Sequence, residues 1–282
     1  VIRTATQIKA LIKNRTDGDS DKAQVLLRVY MMERLLERIS ISRYKDCFIL
    51  KGGMLVASLV GIDTRATVDI DTTVRSLPLS LETAERFLNE IMAIELDDGV
   101  TFRITKKSEI MEGSAYEGIR FFILGTVEKL RQTIKIDIST GDEITPAAVR
   151  YEFPLILEDR KIPLWSYNLE TILAEKLETV MSRGIANTRM RDFYDIHVLL
   201  DLYRRTIDEE TMKKAFAATC QRRLSENNVE NLDEILLSVK ESMAMKDNWR
   251  RYCEDSLYTG NLSWETVMDS VYLLKGIATN KD

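Results

Sequence analysis

The hydrophobic period of this chain changes near residue 165, and no other feature restricts its fold as much. From Asn168 onward, apolar residues recur at three- and four-residue spacing, the mark of amphipathic helices. Helices are expected over Asn168–Ser182, Met190–Tyr203, Asp208–Thr219, Val229–Met245 and Ser263–Ile277. The middle of the chain instead alternates apolar and polar residues, many of them β-branched, which is the two-residue period of strands. Strands are expected at Thr67–Val74, Val100–Thr105, Ile119–Val127 and Thr133–Ser139, with Pro146–Trp165 mostly extended. Ahead of them lies an amphipathic helix from Ser20 to about Ile39. Ser80 is the expected N-cap of another, running to Ile94. Phe48–Lys51 reads as a short lead-in to a Gly52-Gly53 turn and a short helix to Val60. The pattern is α+β: a mixed sheet with flanking helices over 1–165, then a helical C-terminal domain over 166–282.

At 282 residues, either one large or two modest cores are possible. The composition, 45% hydrophobic and 30% charged, is that of a globular protein. A net charge of −5 excludes a molecule that is basic all over, so nucleic acid would have to meet a local basic patch. Cys47, Cys220 and Cys253 are scattered and odd in number, which predicts reduced thiols. No apolar run approaches the roughly 20 residues of a membrane span. The chain opens Val1-Ile2-Arg3-Thr4, without Met and without the layout of a secretion signal. A start inside a longer reading frame and a cytoplasmic location are the resulting expectations.

Chemistry concentrates in a few places. Asp69 and Asp71, two apart on an expected strand, share one face, and neighbouring carboxylates repel unless a cation sits between them. Hard oxygen donors of this kind suit Mg²⁺. A solvent-facing strand alternating Asp with Val68 and Ile70 is the competing reading. Asp137, in the strand-like Ile134-Lys135-Ile136-Asp137-Ile138, would complete a three-Asp cluster if its strand neighbours the first. Lys135 has the parity to face it. Gly52-Gly53 ahead of a helix allows close backbone approach to phosphate, although a tight turn needs the same residues. Lys176, in Ala174-Glu175-Lys176-Leu177, is either a triphosphate contact or half of a surface ion pair. Asp192 and Asp195 share a helix face, preceded by Arg183, Arg189 and Arg191, a cluster suited to phosphate or simply solvated. His197, the one histidine, has apolar neighbours and reads as structural. No Walker lysine loop or dinucleotide glycine motif is present.

Taken in order, Leu50-Lys51-Gly52-Gly53-Met54-Leu55, Arg65-Ala66-Thr67-Val68-Asp69-Ile70-Asp71, Lys135-Ile136-Asp137-Ile138, Ala174-Glu175-Lys176-Leu177 and Arg191-Asp192-Phe193-Tyr194-Asp195 resemble the AbiEii/AbiGii family of nucleotidyltransferase toxins, which includes the MenT-like enzymes. The resemblance spans roughly residues 20 to 200. It implies a polymerase-β-like nucleotidyltransferase core and the toxin half of an abortive-infection (phage-defence) toxin–antitoxin pair. It also implies a cognate DNA-binding antitoxin, encoded alongside, that represses the shared operon and is directly bound or acts indirectly. As in MenT-like members, it implies transfer of a nucleoside monophosphate from an NTP to the acceptor end of tRNA, which blocks translation. It further implies that Asp69, Asp71 and Asp137 hold Mg²⁺ (or Mn²⁺) and that Gly52 and Gly53 cradle phosphate. Lys176 and Asp192 join the catalytic set, and Arg65, Thr67, Lys176, Arg191 and Asp195 surround the nucleotide. Where the superfamily often has Gly-Ser this chain has Gly-Gly, which removes a hydroxyl contact to phosphate. A nucleotidyltransferase acting on a small molecule or a protein, and a non-catalytic nucleotide-binding regulatory module, are the alternatives.

Overall fold

Capping chemistry sets where the first helices begin in the computed structural model, which describes residues 2–65, 67, 69–112, 116–256 and 258–279. Thr4 accepts from the Gln7 amide while the Gln7 side chain accepts from the Thr4 amide, and α1 (Ala5–Thr16) follows. Gly18, at φ 83°, turns the chain. Asp19 then accepts from the amides of Asp21 and Lys22 to start α2 (Ser20–Ile41). The chain continues through β1 (Phe48–Lys51), α3 (Gly52–Val60), β2 (Ile70–Val74) and α4 (Leu81–Met92). Next come β3 (Thr101–Glu112), β4 (Tyr116–Val127), β5 (Leu130–Thr140), β6 (Val149–Pro154) and β7 (Lys161–Ser166).

The strands form one mixed sheet in the order β3-β4-β5-β2-β1-β7-β6. β2 lies in its middle, antiparallel to β1 and parallel to β5. Alternation then sorts side chains. Ile134, Ile136 and Ile138 on β5, with Ile70, Thr72 and Val74 on β2 and Ile119, Phe121 and Ile123 on β4, are buried on one face. Helix α2 covers that face, its Met31 sulfur reaching Gly125 of β4. Each fully buried side chain of this size stabilises the fold by about 1.5–3 kcal/mol. Lys135, Asp137 and Asp71 have the opposite parity and occupy the other face. One of the charges buried on α2 is fully matched: Arg38 grips both oxygens of Asp98 at 2.9 and 3.0 Å. It also donates to the carbonyls of Arg34, Ile94 and Val100.

The chain divides into two compact units, the first comprising Val1–Ile62, Ala66–Asp142 and Val149–Ser166. The second comprises Asp63–Arg65, Glu143–Ala148 and Tyr167–Asp282. It is helical: α5 (Leu169–Arg183), α6 (Met190–Tyr203), α7 (Glu209–Arg222), α8 (Leu232–Glu241), α9 (Met243–Asp255) and α10 (Trp264–Thr279). Asn168 caps α5 by accepting from the Thr171 amide. Helix α10 buries Val267, Met268, Val271 and Leu274 and packs against α5, α6, α7 and α8. No helix among the described residues is long and apolar enough to cross a membrane, and all three cysteines are free thiols.

The α+β architecture matches the sequence-based expectation, with local differences. The strand expected over Thr67–Val74 begins at Ile70, so Asp69 lies on the approach to β2, and Ala66 and Val68 fall outside the described residues. The single helix expected over Val229–Met245 is two, because Ser242 adopts φ −63°, ψ 121° and caps α9. Helix α1, rich in Lys and Arg between its few apolar residues, has too weak a stripe to be read from the sequence.

Candidate active site

The polar face of the sheet gathers charge at one point. Lys51 stands opposite Asp71 across β1 and β2, and Asp71 stands beside Asp137 across β2 and β5. Asp69 precedes β2 with the same parity as Asp71. The carboxylates of Asp69, Asp71 and Asp137 each offer an oxygen within 4.8 Å of the others. Among the described residues they are the only group of three or more His, Cys, Asp or Glu so arranged. Three hard oxygen donors at this spacing fit a small divalent cation such as Mg²⁺ or Mn²⁺.

Asp71 is the most constrained of the three. It accepts a 3.2 Å hydrogen bond from the Gly53 amide at the N-terminus of α3, where free amides favour an anion. Gly52 has φ +61°, and a Cβ built on it would lie 2.7 Å from Asp71 Cγ and closer still to Oδ2. The Gly-Gly pair therefore lets Asp71 approach the backbone. Burial, and then the charges of Asp69 and Asp137, push the Asp71 carboxyl up to about 6, opposed by the Gly53 amide and Lys51.

Cations ring the acids. Arg120 of β4 faces Asp137 in register and clamps it with Nε–Oδ1 at 2.9 Å and Nη2–Oδ2 at 2.7 Å. Lys135 lies 2.6 Å from Asp69 Oδ2 and 4.0 Å from Asp137 Oδ2. Lys51 is paired with Asp142, which also accepts from the Ser139 hydroxyl at 2.9 Å. Arg120 and Asp142 were not candidates from sequence. The signal for Arg120 was available: Val127 pairs with Leu130 across a two-residue turn, and seven steps back along each strand bring Arg120 opposite Asp137.

Other sequence-derived candidates come together in the second unit. Arg65 donates to both oxygens of Asp195 at 3.0 and 3.2 Å. Lys176 Nζ donates to Asp195 at 2.6 Å and to Asp192 at 3.0 Å, and Arg189 Nε reaches Asp192 at 2.9 Å. Burial opposes every charge here, but the opposite charges outweigh it. Asp195 (against Lys176 and Arg65) and Asp192 (against Lys176 and Arg189) are held below the usual carboxylate range, while Lys176 and Arg65 are held above their ordinary values. Glu175 of the expected Glu/Lys pair instead meets Arg223 at 3.2 Å. Arg191 is half-buried at the start of α6, and Arg183 and Arg189 are exposed. His197 hydrogen-bonds Ser270 through Nδ1 at 2.8 Å, joining α6 to α10. Thr67, in the first unit, is buried and donates to the Asp69 carbonyl at 3.3 Å.

A model of the family described as "Nucleotidyl transferase AbiEii toxin, Type IV TA system" matches residues 34–270. Among solved structures the chain is similar to JHP933 from Helicobacter pylori, with 14% identity over 91% of this chain and 92% of that one and a TM-score of 0.49. A second H. pylori structure, whose nucleotidyltransferase assignment is itself provisional, gives 15% identity over 91% and 95% and a TM-score of 0.47. An antigenic nucleotidyltransferase-like protein from Paracoccidioides brasiliensis gives 16% over 78% and 94%, with a TM-score of 0.40. No curated protein matches the sequence.

Proposed function

We propose, from the premise that this chain belongs to the AbiEii family of nucleotidyl transferase toxins of type IV toxin–antitoxin systems, that it transfers a nucleoside monophosphate from an NTP to the 3′ end of a tRNA and so blocks translation. Family membership makes the chain a nucleotidyltransferase and the toxin of a pair that includes an antitoxin. The observation that carries the finer reading is the cluster of Asp69, Asp71 and Asp137 at the polar face of the sheet, beside the N-terminus of α3, whose Gly53 amide donates to Asp71.

In this reading the three carboxylates hold Mg²⁺ or Mn²⁺, which supplies charge neutralisation for the triphosphate and eases deprotonation of the acceptor hydroxyl. Gly53 and Gly52 fix Asp71, and Arg120 fixes the plane of the Asp137 carboxylate. The acceptor oxygen bonds to the α-phosphorus, the α–β bridging P–O bond breaks, and pyrophosphate leaves with that electron pair. The hydroxyl proton passes to a carboxylate of the cluster. Gly52 and Gly53 also line the phosphate path, and Thr67 braces the approach to Asp69. The division of labour is a catalytic core over 1–165 and a helical domain over 166–282. In the helical domain Lys176 and Arg191 meet the nucleotide, with Asp192 and Asp195 holding Lys176 in place and Arg65, beside the nucleotide, bracing Asp195. The exposed Arg183 and Arg189 are the surface offered to RNA, phosphate being the natural partner of a guanidinium fork. The cognate antitoxin and a cytoplasmic setting belong to the same reading.

The test is incubation of the protein and total RNA with each α-labelled NTP and Mg²⁺, alongside growth after induced expression. The parent labels the tRNA fraction and arrests growth, and Asp69→Asn does neither. A D69N protein that labels RNA as fast as the parent removes the carboxylate cluster from the mechanism. Resistance to an antibiotic without growth arrest points instead to a small-molecule acceptor.

A further inference from the structure

The first unit holds two kinds of ion pair, and the difference between them has a functional consequence. Arg38 and Asp98 are both 1% exposed, and Arg38 spends its remaining donors on three carbonyls, so this pair is part of the core. Arg120 and Lys135 are different: their side chains are 34% and 23% exposed, and their carboxylate partners are Asp137 and Asp69. Arg120 covers both oxygens of Asp137, and Lys135 sits on Asp69 Oδ2. A divalent cation shared by the three acids draws on two carboxylates that these side chains already pair with. Metal and side-chain cations therefore compete for the same carboxylates, and like charges a few ångströms apart repel strongly in a half-buried site.

We propose that Arg120 and Lys135 are exchangeable counter-ions: they cover Asp137 and Asp69 in the free protein, and in the loaded protein they bind the phosphates of the NTP. The proposal rests on the nucleotidyltransferase reading given above and extends it to two residues which that reading uses only to orient a carboxylate, or not at all. Several features favour exchange over a fixed structural role. Both side chains are long and partly solvated, so they can leave a carboxylate without crossing a packed core. Both project from the sheet face that carries the acids, Arg120 directly opposite Asp137 and Lys135 two residues before it. A guanidinium and an ammonium released beside a divalent cation are well suited to phosphate oxygens. Lys51, by contrast, is tied to Asp142, whose side chain is 1% exposed.

The two halves of the proposal predict effects of opposite sign. Mn²⁺ binding to the full chain, read by electron paramagnetic resonance of the free ion without nucleotide, is expected to tighten about tenfold in Arg120→Gln and in Lys135→Gln. In saturating Mn²⁺, affinity for an α,β-methylene NTP analogue is expected to weaken by about tenfold in the same variants. Arg120→Lys keeps the charge but loses the two-point clamp. It is expected to tighten Mn²⁺ while retaining most nucleotide affinity, and it provides a second reading where the glutamine variant folds poorly. Mn²⁺ affinity that is unchanged or weaker in R120Q, R120K and K135Q overturns the proposal, as does nucleotide affinity equal to the parent's in R120Q and K135Q. If the parent itself takes up no Mn²⁺, with or without the analogue, the metal-centre reading fails first, so the two failures are told apart.

Discussion

Gly52 carries no side chain, and that is what allows Asp71 to approach as closely as it does. The φ of +61° is costly for any L-residue with a Cβ, and the Cβ itself would overlap the Asp71 carboxylate. Relief requires either moving α3 and breaking the Gly53 amide bond, or turning Asp71 away from Asp69 and Asp137. Gly52→Ala is therefore expected to cost roughly 1–3 kcal/mol of stability. RNA labelling should fall by on the order of a hundredfold, because a catalytic group displaced by an ångström loses about that much. A thermal melt and the labelling assay on the same preparation check both parts, and a G52A protein with parental activity refutes the close-approach argument. From sequence, the Gly-Gly pair speaks of phosphate and backbone freedom. That its first neighbour is a carboxylate eighteen residues on follows from the antiparallel register of β1 and β2, which no local pattern reveals.

At the scale of elements, α2 shows why a helix that reads as ordinary and amphipathic hides its chemistry. Its apolar stripe predicts the packing, yet Glu33, Arg34 and Arg38 lie among the buried residues, and each has a partner in a distant segment: Ile156, Glu158 and Asp98 respectively. Glu33 accepts from the Ile156 amide at 2.9 Å, and its other oxygen is buried without a hydrogen bond. Burial dominates over the opposing Arg34 charge and pushes its carboxyl up to about 8. In the unfolded chain the same group releases its proton near 4.5. Between those values the folded protein holds a proton that the unfolded chain has lost, so stability falls as pH rises. The contribution is fully present below about 4.5 and gone above about 8. Glu33→Gln cannot ionise and keeps an acceptor for Ile156. It should therefore match the parent near pH 5 and exceed it at pH 9, by on the order of a few kcal/mol. Denaturant unfolding at the two pH values measures this, and parallel profiles for parent and variant count against a buried ionisable Glu33. The β4–β5 hairpin is the opposite case: once its two-residue turn is recognised, counting along the strands yields the Arg120–Asp137 pair.

At the scale of the whole molecule, the change of period near residue 165 was legible because two long stretches each repeat one pattern many times. What periodicity cannot register is the pair of short segments, Asp63–Arg65 and Glu143–Ala148, that belong to the second unit although they interrupt the first in sequence. They are too short to carry a period, and what holds them is long-range. Arg65, 2% exposed, is matched by Asp195, 130 residues away, and the Thr145 carbonyl accepts from Asn168 Nδ2 at 2.5 Å while the Thr145 amide donates to Thr171. A chain ending at Ser166 would keep every strand and all three acids of the metal cluster. It would leave Arg65 without Asp195 and without the residues that bury it. Both short segments would become solvated loops whose ordering nothing supports, a loss set against a stability of only about 5–15 kcal/mol. The shortened chain is therefore expected to aggregate or to melt at least about 10 °C below the parent, although its sheet is complete in sequence. Circular dichroism melts of the parent and the 1–166 fragment decide it. A cooperative fragment transition within about 3 °C of the parent's would mean that the interleaved segments do not tie the first unit's stability to the second. In that case the carboxylate site could be studied on the fragment alone.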